Sequence, residues 1–502
     1  MAAMQQSGGK ALSELLAGMA SDLPEVQVTD ITSDSRLVKP GALFLACQGV
    51  NGHGLEYVDA ALAAGAAVIA WEPAEKIAAP SLPDSVISVA VESLGDRAGE
   101  IADRFFAAPS AVMQLTGITG TNGKTTVAWL VSQALSRLGD PVAYMGTLGY
   151  GVVPELAPSA LTTPGCILVH RRLRELLDRK VSGAVLEVSS HALDQGRIDG
   201  VRLNVAAFTN LSRDHLDYHA DLDAYKEAKA RLFKVSSLEA AVINVGDSFG
   251  AQLAGELDGD LRVITVALTG SSDEEPKAEL MAGFEALADA GLRLEFSGAF
   301  GSGELRSSMP GSFNAENLLV ATGILLANGY TLGQAITALQ SVTPPPGRMQ
   351  RVQSKQGGPT VVVDFAHTPD ALTKVLTSIR PQVKGRIICV FGCGGDRDQG
   401  KRAEMGAIAV RLADHVIVTN DNPRNEDPAQ IFAGIQAGMD DSSSHEVVPD
   451  RAAAIQAAIR MADLQDWVLI AGKGSENTQI IGDKAESFSD ADVAAAELEG
   501  AS

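Results

Sequence analysis

Residues 117–126 read GITGTNGKTT, three glycines and an asparagine running into Lys-Thr-Thr. An apolar run precedes them (Val112, Met113, Leu115) and reads as a buried strand. Behind them, residues 127, 130, 131, 134, 135 and 138 are apolar at helical spacing. Strand, glycine loop and helix are the parts of a phosphate site. Glycine lets the backbone approach the anion, loop N–H groups and a helix N-terminus favour negative charge, and a lysine adds a point charge. Gly120, Thr121, Asn122, Gly123, Lys124, Thr125 and Thr126 are therefore the expected contacts of a nucleoside triphosphate, with the Thr125 hydroxyl available to magnesium. The spacing departs from the common G-x-x-x-x-G-K-[ST] pattern, because its first glycine would fall on Ile118. The loop alone leaves kinase, ATPase, nucleotide switch and ligase open.

Such a loop needs a sheet to hold it, and the chain has several. In residues 1–108, ALFLACQG and AAVIAWEP read as strands, YVDAALAAGA as a helix, and GDRAGEIADRFFAAPS as a helix ending at Pro109. Past the loop, GAVLEVSSHAL and VAAFTNLSRDHLDYH both run from apolar strand to polar tip. Residues 270–310, rich in Gly, Ser and acidic side chains, read as a small antiparallel insertion, and GSFNAENLLVATGILLANGY as a helix. TPPPGRM (343–349) is the clearest linker, since three prolines continue neither a helix nor a central strand. Beyond it VVVDFAH, IICVFGCGGD, HVIVTNDNPR and WVLIAGKGSE alternate with helical stretches, which predicts a parallel, doubly wound sheet. Ligands of such sheets sit at the carboxyl ends of strands, so the polar tips are the candidate site. The expected fold is α/β in three domains: 1–108, a central phosphate-loop sheet over 109–345, and a Rossmann-like 346–502.

Composition narrows the partners. A formal net charge of −22 argues against sequence-independent nucleic-acid binding. Cys47, Cys166, Cys389 and Cys393 are scattered, with no zinc spacing and no disulfide framework. No apolar stretch is long enough for a membrane span. MAAMQQSGGK lacks a charged-then-apolar signal, so the cytoplasm is the expected compartment. A monomer is the expected state.

GTNGKTT, EVSSH (187–191), DHLDYH (214–219), YKEAK (225–229), GRM (347–349) and DNPR (421–424) stand in the order in which they occur in the Mur ligases, ATP-dependent amide ligases that build the peptide stem of peptidoglycan. The resemblance spans TSDSR (32–36) to GKGSE (472–476) and is best to the members that add diaminopimelate. It implies three small-molecule substrates: ATP, UDP-N-acetylmuramoyl-L-alanyl-D-glutamate and meso-diaminopimelate. It also implies Mg2+, and a route in which ATP phosphorylates the D-glutamate γ-carboxylate before an amine attacks the acyl phosphate. Every reactant but the amine is anionic, so cations must gather them.

The resemblance makes Glu187 and His215 magnesium ligands beside Thr125; on its own Glu187 could be a salt-bridged carboxylate and His215 a structural histidine, as His219 is expected to be. It makes Lys229 a lysine carbamylated by carbon dioxide, although Lys226 is equally visible in the same helix and both would pass for solvent-facing residues. Ser33, Ser35, Arg36, Val50, Asn51 and Gly52 match the uridine-diphosphate contacts, where the plain alternative is a surface turn. Thr162, Thr163, Ser189, Gln195 and Arg197 match contacts to the muramoyl dipeptide. Asn314, Asn317, Arg348 and Asp364 match ATP contacts, with a turn-forming role as the rival for Asn314 and with the proline linker letting the last domain close over the nucleotide.

Diaminopimelate differs from lysine by one carboxylate on its far carbon. Telling them apart needs a cation, and Arg424 of DNPR offers a bidentate fork, with Arg397 as a second. Asp421, Asn422, Pro423, Gly472 and Glu476 complete the implied site, Glu476 taking the distal ammonium. Many relatives read GKGHE where this chain has Ser475, which puts local loop geometry in question. Three rivals remain. A folylpolyglutamate-type ligase shares the loop but should lack DNPR and the first-domain DSR; a lysine-adding homologue is disfavoured by DNPR; a nucleotide-dependent switch leaves the last domain's polar tips unexplained.

Overall fold

A computed structural model describes residues 9–49, 52–75, 77–212, 214–215, 218–270, 277–287, 291–352, 357–440 and 443–500. The chain divides into two compact units, one of residues 1–124, 135–241 and 255–263, the other of residues 125–134, 242–254 and 264–502.

In the first unit, Ile31–Thr32, Leu43–Ala46, Val68–Trp71 and Ile87–Ala90 form a four-stranded, all-parallel sheet. Its two central strands, Leu43–Ala46 and Val68–Trp71, are apolar on both faces because both are covered. Leu43, Leu45, Val68 and Ala70 pack with Leu94, Ile101 and Ala102 of the helix Leu94–Phe105, while Phe44, Ala46, Ile69 and Trp71 pack with Val58 and Ala61 of the helix Val58–Ala63. The helix expected to end at Pro109 stops four residues earlier. Ala107 and Ala108 have φ of 58° and 46°, and the ring of Pro109 disfavours a helical residue before it.

The same unit holds the strand of the phosphate loop, Gln114–Thr119. Gly183–Glu187 and Val205–Phe208 flank it in parallel, and Val142–Gly146 lies beyond Gly183–Glu187. The register sets Glu187 opposite Ile118 and Phe208 opposite Thr119, so three strands end together where the loop begins.

In the second unit, Val266–Leu268 of the strand Arg262–Leu268 pair in parallel with the strand Leu280–Ala286, which is continued antiparallel by Leu292–Gly298 and Gly303–Ser307. The expected insertion is thus a set of strands added to a sheet rather than a separate body; residues 271–276 and 288–290 lie outside the described residues. A six-stranded sheet follows in the order Gln350–Val352, Thr360–Asp364, Trp467–Ala471, Ile387–Phe391, His415–Val418, His445–Val447, parallel except for its first strand. Alternate residues enter two cores. Val361, Val363, Ile388, Val390, Ile417, Val468 and Ile470 join Ile455 and Leu498; Val362, Cys389, Phe391, Val418 and Leu469 join Leu376, Met405 and Ile431. Helices therefore cover both faces, which is the doubly wound arrangement, and the parallel strands end along one edge.

The proline linker is tied down at its start. Trp129 Nε1 and Gln133 Nε2 both donate to the Thr343 carbonyl at 2.9 Å. What is left between that anchor and the sheet is Pro344–Met349, with Gly347 at φ 63°.

Candidate functional site

Gly120 and Gly123 have φ of 146° and 85°, conformations that side chains rarely adopt, and a Cβ on Gly120 would overlap the Thr209 hydroxyl. The loop is braced from the next strand tip. Asn122 N–H donates to Asn210 Oδ1 at 3.0 Å, Thr121 N–H to the Asn210 carbonyl at 2.8 Å, and Thr209 Oγ1 to the Asn122 carbonyl at 2.6 Å. The Thr121 hydroxyl meets the Tyr225 hydroxyl at 3.1 Å. Gly123 caps the helix Lys124–Leu138, whose first turn carries Thr125 and Thr126, both buried.

Two lysines converge on one carbonyl. Lys124 Nζ donates to Gly120 O at 2.8 Å, and Lys229 Nζ donates to the same oxygen at 2.9 Å. Lys229 is 1% exposed and lies 4.2 Å from the Tyr225 ring centre. Burial, reinforced by the Lys124 charge, holds its amine well below the usual lysine range. Lys226, three residues earlier, pairs with Asp223 at 2.8 Å on the surface. The two lysines that look alike in the sequence therefore stand in opposite environments.

Glu187 is buried at the neighbouring tip. Tyr144 OH and Thr147 N–H donate to Oε1, and Thr147 Oγ1 donates to Oε2. His215, in left-handed backbone at φ 53°, is half-exposed and has Asp214 3.5 Å from its Nε2. Its ring meets His191 edge-on at 4.8 Å. His219 is buried against Ser190 Oγ at 3.0 Å. Among the described residues no three His, Cys, Asp or Glu side chains gather into a metal cage. A carboxylate with hydroxyls nearby is the kind of hard oxygen donor that Mg2+ takes where phosphate and water supply the other ligands.

Beside Glu187 sit the residues expected to contact the dipeptide. Thr163 Oγ1 donates to the Glu187 carbonyl at 2.7 Å and accepts from Ser189 N–H at 3.2 Å. Thr162 and Thr147 share a hydroxyl contact at 3.0 Å. Arg197 donates to the Thr163 carbonyl at 2.8 Å and, at 2.7 Å, to Gln195 Oε1. Five expected residues are thus brought together, and a half-buried guanidinium is held, among the described residues, by carbonyl-type acceptors. In the four-stranded sheet, Asp34 caps the turn Ser35–Leu37 and grips Arg36, which stays largely exposed. Gly52 accepts from Gly49 N–H at 2.9 Å. Val50 and Asn51 lie outside the described residues.

In the second unit, Asn314 donates to the Pro310 carbonyl at 2.7 Å and accepts from Asn317 at 2.9 Å, both buried. The turn-forming contact is therefore present. Asp364 Oδ2 accepts from Met349 N–H and Oδ1 from Ala366 N–H, while the Arg348 guanidinium lies 4.6 Å over the Phe365 ring. Burial raises the Asp364 carboxyl, against the pull of Arg348 and the two N–H groups.

The tips of the six-stranded sheet gather the remaining residues. Arg424, at φ 52°, is fixed by its own backbone: its N–H donates to the Ile480 carbonyl and its carbonyl accepts from Gly482 N–H. Its guanidinium donates to the Gly395 carbonyl at 2.8 Å and the Asn422 carbonyl at 3.4 Å, and has no carboxylate partner among the described residues. A Cβ on Gly394 would lie 3.0 Å from Arg424 and 3.6 Å from Arg397, so the two arginines flank that glycine; Arg397 is exposed. Asp421 takes the Asn422 N–H at 2.8 Å, and its carbonyl accepts from Gln479. A Cβ on Gly472 would meet Asp421 at 2.8 Å. Glu476 Oε2 accepts from Asn422 Nδ2 and from Lys473 Nζ, both at 2.9 Å. At the departure from GKGHE, the Ser475 backbone lies against Gly347, where any Cβ would overlap it, so main-chain packing fixes the loop at that point.

Sequence reasoning passed over Tyr144 and Thr147, which hold Glu187, as well as His191, Tyr225 and Lys473. Tyr225 and Lys473 lay inside quoted motifs; for Tyr144 no local signal existed.

Three family descriptions match the chain in order: "Mur ligase family, catalytic domain" over residues 27–105, "Mur ligase middle domain" over 118–325 and "Mur ligase, glutamate ligase domain" over 347–474. The chain is 45% identical over 482 residues to a UDP-N-acetylmuramoyl-L-alanyl-D-glutamate–2,6-diaminopimelate ligase of Xylella fastidiosa (strain Temecula1), covering 95% of this chain and 96% of that one. It is 45% identical over 492 residues to the protein of the same name from Xanthomonas campestris pv. campestris (strain 8004), covering 98% of both. A solved structure titled with that ligase name superposes with a TM-score of 0.72 at 33% identity, over 98% of this chain and 99% of that one.

Proposed function

The chain belongs to the Mur ligase family, and from that premise we propose that it joins meso-2,6-diaminopimelate to UDP-N-acetylmuramoyl-L-alanyl-D-glutamate, driven by ATP, in the cytoplasm and as a monomer. The observation that carries the choice of amino acid is Arg424, a half-buried guanidinium with only carbonyl partners beside the ammonium-binding candidate Glu476. That pair of opposite charges suits the zwitterionic far end of diaminopimelate, and lysine would leave the arginine unanswered.

The reading assigns nucleotide-sugar binding to residues 1–108, ATP to 109–345 and the amino acid to 346–502. Lys124 and the loop N–H groups would receive the triphosphate, the Lys124 ammonium leaving Gly120 O for a phosphate oxygen. Arg197, Thr163, Ser189 and Gln195 would orient the D-glutamate end, so that its γ-carboxylate meets the γ-phosphate. Magnesium, held by Thr125, Glu187, His215 and carbamylated Lys229, would screen the charge between the two anions. Lys229 has the setting that carbamylation needs, since only a neutral amine attacks carbon dioxide, forming an N–C bond and releasing one proton. Asn314, Asn317, Arg348 and Asp364 would hold the rest of ATP, closing on the short pivot Pro344–Met349. The amine then attacks the acyl phosphate and phosphate leaves.

Incubation of the purified chain with ATP, Mg2+, the nucleotide precursor and radiolabelled diaminopimelate tests this. Incorporation that needs all four, with lysine at least about 100-fold less efficient, is expected from the cost of an unpaired buried charge. ATP turnover without incorporation would point to a nucleotide switch, and equal use of lysine to a lysine-adding ligase.

A further inference from the structure

The loop GKGSE contains a lysine that no step above uses. Lys473 is 0% exposed, although lysine is among the residues least often buried. Gly472 at φ 118° and Gly474 at φ 54° flank it, and these two turns drive its side chain inward from the end of the strand Trp467–Ala471. Its ammonium donates to Asn422 Oδ1 at 3.0 Å and to Glu476 Oε2 at 2.9 Å.

Asn422 is the junction of the site. Its Oδ1 accepts from Lys473 and, at 2.9 Å, from Ile480 N–H, so the amide can point only one way. Its Nδ2 then faces Glu476 Oε2, and its backbone carbonyl accepts from Arg424. With two donors on Oε2, Glu476 offers its other oxygen to a ligand. Lys473 therefore touches, directly or through one residue, both the cationic and the anionic pole of the amino-acid site.

Resting on the function proposed above, we infer that Lys473 is a positioning residue for the amino-acid substrate. It fixes the Asn422 amide and one Glu476 oxygen, and so sets the spacing between the group that takes the distal ammonium and Arg424, which takes the distal carboxylate. It does not touch the reacting atoms. Its removal should weaken amino-acid binding and leave the nucleotide steps alone.

The test is a double-mutant cycle with Lys473→Met and Glu476→Gln in the full chain. Initial rates are measured against diaminopimelate, ATP and the nucleotide precursor, with Lys473→Gln as a second variant and thermal unfolding as a control. Lys473→Met should raise KM for diaminopimelate about tenfold or more, as losing a charge-assisted contact does. KM for ATP and for the precursor should stay within about twofold. Added to Glu476→Gln, Lys473→Met should have little further effect, because residues acting through one group are not additive. An unchanged KM for diaminopimelate, full additivity, or an equal rise in all three KM values would overturn the inference. So would failure of both Lys473 variants to fold, which would make the lysine a core strut. The wild-type chain in the same assay separates the two readings: if it does not use diaminopimelate, the proposed function fails; if it does and the variants bind it normally, only the role of Lys473 fails.

Discussion

The phosphate loop and the tips of the six-stranded sheet both collect charge, in opposite ways. At the loop, two lysine amines donate to the carbonyl of Gly120, and Lys124 donates to that of Thr121 as well. At the sheet tips the signs are mixed and spaced: Glu476 already has Lys473 on one oxygen, and Arg424 holds only carbonyls. A surplus of one sign that is turned onto the backbone suits a polyanion able to displace it. Separate poles, each half-satisfied, suit a small zwitterion. The difference is one of local charge, and it stands out within a chain whose overall charge is −22.

Breaking the like-charge side of the comparison should have the largest effect. Lys124→Ala is expected to cut ligation at least ~100-fold with the fold retained, since it removes a charge aimed at developing phosphate charge. Precursor-dependent ADP release measures this, and near-normal turnover would end the assignment. Lys229→Ala should come next, losing activity and regaining part of it with added formate or acetate, while Lys226→Ala stays near wild type. Equal mild losses for the two would return Lys229 to the ordinary helix surface.

The mixed-charge side is sharpened by Arg424. Arg424→Ala should collapse the preference for diaminopimelate over lysine by about 100-fold, and Arg424→Lys should restore only part, because an ammonium lacks the fork. Competition between the two labelled amino acids reads this directly, and an unchanged ratio would remove Arg424 from the site.

The smallest effect concerns stability. Lys229 has its amine held well below the usual 10.5 by burial and by Lys124. Between that lowered value and 10.5 the unfolded chain binds a proton that the folded chain does not, so this group costs stability at neutral pH and the cost fades as pH rises toward 10.5. Lys229→Met should therefore unfold at higher denaturant than wild type at pH 7, with the gain shrinking at pH 10, while being inactive. A destabilised variant at pH 7 would show that Lys229 is not a strained cation.

Legibility followed chain locality. The loop, the strand tips and the doubly wound sheet were readable because apolar runs of five residues ending in Gly, Asn or Asp leave a local pattern. Shorter strands such as Ile31–Thr32 and His445–Val447 left none, nor did the C-terminal hairpin Thr478–Ile481 with Lys484–Ser487. In the site, Lys226 and Lys229 could be separated only by motif register, because burial depends on Tyr225 and on Gly120, which lies 109 residues away. Tyr144 reaches Glu187 across 43 residues, and nothing near either one announces it. Lys473 lies inside GKGSE, but nothing in that motif announces that the two glycine turns place it underneath.

The anchor of the proline linker makes the protein its own optical instrument. Of the chain's three tryptophans, Trp71 and Trp467 lie in sheet cores, while Trp129 alone donates its indole N–H to Thr343, the residue that opens the linker. Indole emission shifts with the loss of such a hydrogen bond and with the entry of water. A chain carrying Trp71→Phe and Trp467→Phe would then report the state of that anchor through one remaining fluorophore, in real time and without a label, as ATP, precursor and amino acid are added in turn.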